Sequence, residues 1–228
     1  METTEITMPM LTQPALPLFS TEPAGLLRRR TVAAALVAAP ALWLGARAQP
    51  TPARRATPAQ SEGPFYPLDF PKDSDHDLLR NGRLNYSEGR LAWVEGQVTD
   101  LGGKALAGAE VHIWQCDHAG HYHHPGDGGR ADERFQGFGR VTLGADGRYR
   151  FRTIRPAAYS GRAPHIHVKV RLGQRELLTT QLYVADDPGN ARDGLWRRLD
   201  AAGRAALTVP FKPGSDGLWA SFPMVVEA

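Results

Sequence analysis

What most constrains this chain is a run of short alternating segments, cut apart by turn residues, that extends from Leu91 to Val184. Residues 91–99 mix β-branched and aromatic side chains and stop at Asp100-Leu101-Gly102-Gly103, a turn signal. Residues 109–115 alternate, with Val111 and Ile113 on one face and His112 and Trp114 on the other. Residues 139–143 form a short strand, Gly144-Ala145-Asp146-Gly147 turns the chain, and residues 148–153 alternate again. Residues 166–172 and 176–184 flank Gly173-Gln174 and read as a hairpin. Strands at this spacing predict an all-β fold, an antiparallel β-sandwich with long loops and at most one or two short helices. Residues 190–201 are the candidate for one of them.

The 228 residues suffice for one domain of ordinary size, and 42% hydrophobic with 22% charged residues is a globular composition. A lone cysteine, Cys116, allows no internal disulfide, so the fold must rest on its apolar core. The formal net charge of +3 is small and its basic excess lies near the N-terminus, so nucleic acid is not an expected partner.

The first residues read as a separate unit. Arg28, Arg29 and Arg30 precede an apolar, Ala-rich run at residues 32–44, and Ala46-Arg47-Ala48 fits a small-x-small cleavage pattern. An apolar run this short is no stable membrane anchor, which takes roughly 20 residues. Residues 1–48 are expected to be a cleaved export signal, twin-arginine-like in its consecutive arginines, with an ordinary secretory signal as the alternative. The mature protein would be periplasmic or secreted. Residues 49–60, rich in Pro, Ala and Arg, are expected to be a linker, and residues 61–228 the folded domain.

Pro164-His165-Ile166-His167 opens a strand. Residues i and i+2 of a strand share a face, so His165 and His167 can both reach one metal ion while Ile166 turns into the core. Tyr122 follows the strand that ends at Trp114-Gln115, and Tyr159 stands six residues before His165.

At these residues the chain resembles the intradiol ring-cleavage dioxygenases, the family of catechol 1,2-dioxygenases and protocatechuate 3,4-dioxygenases. The matching segments occur in order: Trp114-Gln115 through Gly120-His121-Tyr122, Phe135-Gln136-Gly137-Phe138-Gly139-Arg140, residues 149–156, Pro164-His165-Ile166-His167 and Thr180-Gln181-Leu182-Tyr183. Gly63-Pro64-Phe65-Tyr66-Pro67 also looks like the family's pocket-lining segment. The resemblance implies Fe³⁺ held by Tyr122, Tyr159, His165 and His167, with Tyr159 and His165 axial. It implies a catechol and O₂ as substrates and a cis,cis-muconate-type diacid as product. Tyr159 would leave the metal and take a substrate proton, Arg162 would steady the electron-rich ring, and Gln181 would line the pocket. A phenolate is a hard anionic donor suited to Fe³⁺.

The chain departs from the family in two places. Two residues before Trp114 the family usually has an acid, and here stands His112. Only residues 160–164 separate Tyr159 from His165, a short loop that implies an open site. In the protocatechuate enzymes a Gly-Pro segment of one subunit lines its partner's site, so residues 63–66 are expected to do so if the chain forms a homodimer. His118, His121, His123 and His124 read as a solvated loop rather than a second metal site, and Cys116 as a buried residue rather than a nucleophile. Two rivals remain: a non-catalytic transthyretin-like or carbohydrate-binding module, and a zinc hydrolase using His165, His167 and a loop histidine, with Asp117 or Asp127 as its base.

Overall fold

The structure, a computed structural model, describes residues 54–228; the expected export signal lies outside them. Among the described residues, two five-stranded sheets and a small hairpin, β1 (Arg80–Asn81) with β2 (Leu84–Asn85), carry the fold. In the first sheet β3 (Leu91–Asp100) pairs antiparallel with β6 (Arg148–Ile154). Its other edge takes β11 (Gly217–Ser221) and then β12 (Met224–Val226), both parallel, and β10 (Lys212–Gly214) extends β11. The second sheet runs β5 (Phe138–Thr142), β4 (Glu110–Trp114), β7 (His165–Leu172), β8 (Arg175–Val184) and β9 (Thr208–Val209). The all-β sandwich is as expected. It is not purely antiparallel: β9, β11 and β12 each return to pair in parallel.

The alternation accounts for the core. Val94 and Phe151 of the first sheet meet Val111, Ile113, Ile166, Val168 and Leu182 of the second in one buried cluster. The opposite face of the second sheet is also buried, although it carries His112, Trp114, His165, His167, Lys169, Gln181 and Tyr183. A buried polar face requires partners, and here the segment before β1 supplies them.

Of the expected linker at 49–60, the described residues 54–60 lie along the domain. Thr57 and Gln60 donate backbone N–H groups to Val225 and Thr179 at 2.8 Å each, and the Thr180 hydroxyl donates to the Pro58 carbonyl at 2.7 Å. Pro58 removes one donor and favours extended backbone, so the stretch can still lie along a sheet through its remaining N–H and C=O groups. From residue 54 the chain is a strap tied to the domain.

The expected helix at 190–201 is broken into a 3₁₀ turn (Asn190–Arg192), α1 (Gly194–Arg197) and α2 (Ala201–Leu207). Asp193 and Asp200 interrupt it, because each has extended backbone and a carboxylate that caps the next turn.

Candidate metal centre

Four side chains form a closed circuit over the second sheet. Ring centroids lie 5.0 Å apart for Tyr122 and Tyr159, 5.4 Å for Tyr159 and His165, and 4.7 Å for His165 and His167; Tyr122 and His167, at 6.1 Å, close it. The two histidines open β7 and share its outer face, with Ile166 fully buried on the other. The four residues named from the sequence are thus brought together.

Each histidine is oriented by its surroundings. The Nδ1–H of His165 donates to the Ala163 carbonyl at 2.6 Å, which leaves Nε2 as a lone pair aimed into the circuit. The Nε2 of His167 lies 3.1 Å from it. Trp114, directly across from His167 on β4, stacks on it at 4.8 Å and 9°. Burial holds the His165 imidazole down to about 4, with the Arg162 charge adding to it. Burial and then His165 hold His167 well below its ordinary value. Both rings are therefore neutral donors near neutral pH.

The tyrosines differ. Tyr122 is fully enclosed, stacked on Phe65 at 4.6 Å, and its hydroxyl is buried without a hydrogen bond of good geometry. Burial, then the neighbouring Tyr159, push its phenol well above the usual range. A buried hydroxyl without a partner is costly, and beside two converging imidazole nitrogens it is a group that could hold a cation. Tyr159 is only partly buried; burial raises it, but Arg162 pulls against that rise. The short loop is a tight turn with Ser160 and Gly161 at φ 44 and 75, and the Arg162 amide donates back to the Tyr159 carbonyl at 2.7 Å. It opens onto a cavity of about 390 Å³ lined in part by Tyr159, Arg162, Pro188 and Arg192.

Arg162 and Gln181 also belong to the site. Gln181 lies directly across from His167 on β8. Its Oε1 accepts from Arg162 Nη2 at 2.7 Å and from the Tyr183 hydroxyl at 2.9 Å, and its Nε2 donates to the Ser61 carbonyl at 2.9 Å. Arg162 Nε donates to the fully buried Asp193 carboxylate at 2.7 Å. Sequence reasoning missed Asp193 and Lys169. Nothing distinguishes Asp193 from an ordinary cap, but Lys169 was visible as the next residue of the His165, His167 face.

The strap closes the site from within the same chain. Gly63 adopts φ 74, and a Cβ there would stand 3.3 Å from His167 Cε1. Residues 63–66 thus lie against the circuit of their own chain. Tyr66 packs on Trp114 at 4.9 Å, and its hydroxyl lies 2.9 Å from His112 Nδ1. Glu110, 3.5 Å from His112 Nε2, supplies a carboxylate beside the position where the family's acid is replaced.

The histidine-rich loop is scaffold. His123 Nε2 is 2.6 Å from the Phe135 carbonyl, and His124 Nδ1 accepts from the Gly126 amide. The Asp117 carboxylate is occupied by the amides of Ala119, His121 and Asp132, and Asp127 accepts from the Tyr122 amide at 3.1 Å. Both carboxylates thus serve to tie the loop together.

A family model described as Dioxygenase matches residues 61–199. The protocatechuate 3,4-dioxygenase beta chain of Burkholderia cepacia is 38% identical over 150 residues, covering 60% of this chain and 63% of the relative. The chain belongs to the intradiol ring-cleavage dioxygenase family. A hydroxyquinol 1,2-dioxygenase of Corynebacterium glutamicum is 28% identical, with 72% of this chain and 61% of the relative covered. The chain therefore spans less than two thirds of these two relatives. Among solved structures, the dioxygenase domain of a dioxygenase carbohydrate-binding protein fusion from Streptomyces sp. SirexAA-E superposes with TM-score 0.62 at 33% identity, covering 76% of this chain and 99% of that one. Catechol 1,2-dioxygenase from Acinetobacter sp. ADP1 gives TM-score 0.61 at 26% identity, with 76% and 63% covered.

Proposed function

We propose that this intradiol dioxygenase opens the ring of a catechol between its two hydroxyl-bearing carbons, using O₂ and one Fe³⁺ held by Tyr122, Tyr159, His165 and His167. The observation that carries this reading is the closed circuit of two phenols and two imidazoles, with His165 Nε2 and His167 Nε2 3.1 Å apart and the Tyr122 hydroxyl buried without a partner. The donors fit the ion: two phenolates are hard anionic ligands, and the imidazoles are held neutral. When bound, Fe³⁺ supplies the Lewis acidity that makes phenolates of tyrosines at neutral pH and primes the catechol for reaction with O₂.

The chain's own residues do the rest. Tyr159, which lines the cavity beside the Arg162 charge, would accept a hydroxyl proton from an incoming catechol. Tyr122, enclosed under Phe65, remains in place. Arg162, fixed by Asp193 and Gln181, directs its charge toward the ring as negative charge builds there. Arg155 is occupied 3.6 Å from Asp187, so it is less available for a substrate carboxylate. Oxygen-dependent turnover of catechol, protocatechuate, hydroxyquinol and chlorocatechols identifies the preferred ring, and a muconate-type diacid is the expected product.

The mature protein matured with iron available is expected to hold about one Fe³⁺ per chain and to be red to burgundy from tyrosinate-to-iron charge transfer. Metal analysis and a visible spectrum check this. Stoichiometric zinc without visible absorbance would sink it.

Export by the twin-arginine route, which carries folded proteins, accords with a metal acquired before transport. Replacing Arg29 and Arg30 by Lys is expected to leave the precursor in the cytoplasm, read by fractionation. Unchanged export would favour the general secretory route.

A further inference from the structure

Lys169 is a buried ammonium that the chemistry above does not use. It lies two residues past His167 on β7, on the same face of the sheet, and its side chain is only 7% exposed. Two carboxylates meet it: Glu176 of the adjacent strand at 3.0 Å, and Glu62 of the strap. Its Nζ also stands 4.0 Å from the Tyr66 ring centroid. A charge removed from water survives only with such partners. Glu62 and Glu176 are 42% and 51% exposed, so the lysine is the member that depends on the arrangement.

The two carboxylates differ in what they connect. Glu176 ties Lys169 to its own sheet, while Glu62 ties the sheet to the strap. The residues just after Glu62 shape the circuit. Gly63 lies against His167, Phe65 stacks on Tyr122, and Tyr66 packs on the indole that stacks on His167. The anchors before Glu62 are an exposed ion pair of Arg55 with Asp200 and hydrogen bonds at Thr57, Pro58, Gln60 and Ser61. Beyond them, Glu62 is the ionic tie at the point where the strap turns over the metal-binding face.

We propose that Lys169 is a positioning residue: by holding Glu62 it seats Gly63, Phe65 and Tyr66, and so fixes Tyr122 and His167 in the geometry that retains iron. This rests on the proposed function for the identity of the metal, but not for the seating of the strap.

Four variants test it: Lys169→Met, Lys169→Arg, Glu62→Gln and Glu176→Gln. Chymotrypsin cleavage after Phe65 of the metal-free protein reads the seat. Iron loss to a chelator and the position of the tyrosinate-to-iron band read the circuit. Lys169→Met and Glu62→Gln are expected to speed cleavage and iron loss at least tenfold and to shift the band. Glu176→Gln is expected to leave all three near the parent, and Lys169→Arg to restore most of the loss. Parent-like cleavage, iron loss and band in Glu62→Gln would overturn the proposal, as would equal effects of Glu62→Gln and Glu176→Gln. If Lys169→Met does not fold, the two glutamate variants decide alone. A parent that binds no iron defeats the metal assignment, while the cleavage assay still reports on the strap.

Discussion

Tyr159→Phe is expected to keep iron and colour, through Tyr122, while slowing anaerobic uptake of catechol by about 10²–10⁴-fold, the range for a lost general base. Tyr159 is the phenol that lines the cavity, and Arg162 opposes the rise that burial imposes on it, as would suit a group proposed to gain and lose a proton. Tyr122→Phe is expected to behave differently. It removes a hydroxyl that is buried without a hydrogen bond of good geometry, so the metal-free variant should be as stable as the parent or more stable by about 1 kcal/mol. Its iron should be lost faster and its colour shifted. Stopped-flow binding without oxygen, iron content and urea unfolding of metal-free protein separate the two. Uptake of catechol by Tyr159→Phe at the parent rate would exclude the proton-acceptor role, and unchanged iron and colour in both variants would remove both ligand assignments. A tyrosine that stabilises the protein when truncated yet loses its metal is one retained for function at a cost to the fold.

How far the sequence led depended on whether local pattern or long-range pairing decided each feature. His165-Ile166-His167 was legible because a period of two puts both imidazoles on one face of β7. The strands from Leu91 to Val184 were legible from alternation and glycine turns. Gln181 was legible by resemblance only, because its place across from His167 depends on hairpin register, and β7 and β8 contain a shift near Val170. The segment past residue 201 was not assigned, since β9, β11 and β12 are short and pair in parallel with strands distant in sequence. The pairing of residues 54–60 was not legible for a related reason. Proline-rich composition speaks against a self-supporting element, but not against extended backbone pairing with Thr179 and Val225.

Asp193→Ala is expected to lower the stability of the domain by about 3 kcal/mol and its melting temperature by roughly 10 °C. The carboxylate is fully buried and accepts four donors: Arg162 Nε at 2.7 Å, Ala163 N at 3.0 Å, Leu195 N at 2.9 Å and Trp196 N at 3.1 Å. Removing it uncaps α1, commonly worth about 1 kcal/mol, and leaves a buried amide without a partner, worth about 1–3 kcal/mol more. Arg162 is partly exposed, so water takes up some of what its guanidinium loses. Asp193→Asn is the sharper probe. Its oxygen can still cap Leu195 and Trp196 from the Oδ1 position, but its amide nitrogen would then face Arg162 Nε and the Ala163 amide, donors against a donor. The Asn variant should therefore keep more of the stability than Ala, yet lose the alignment of Arg162 that Gln181 alone cannot hold. Calorimetry reads the first effect, and kcat at saturating catechol, with KM less affected, reads the second. An Asn variant with parent-like turnover would show that Asp193 serves the fold and not the arginine.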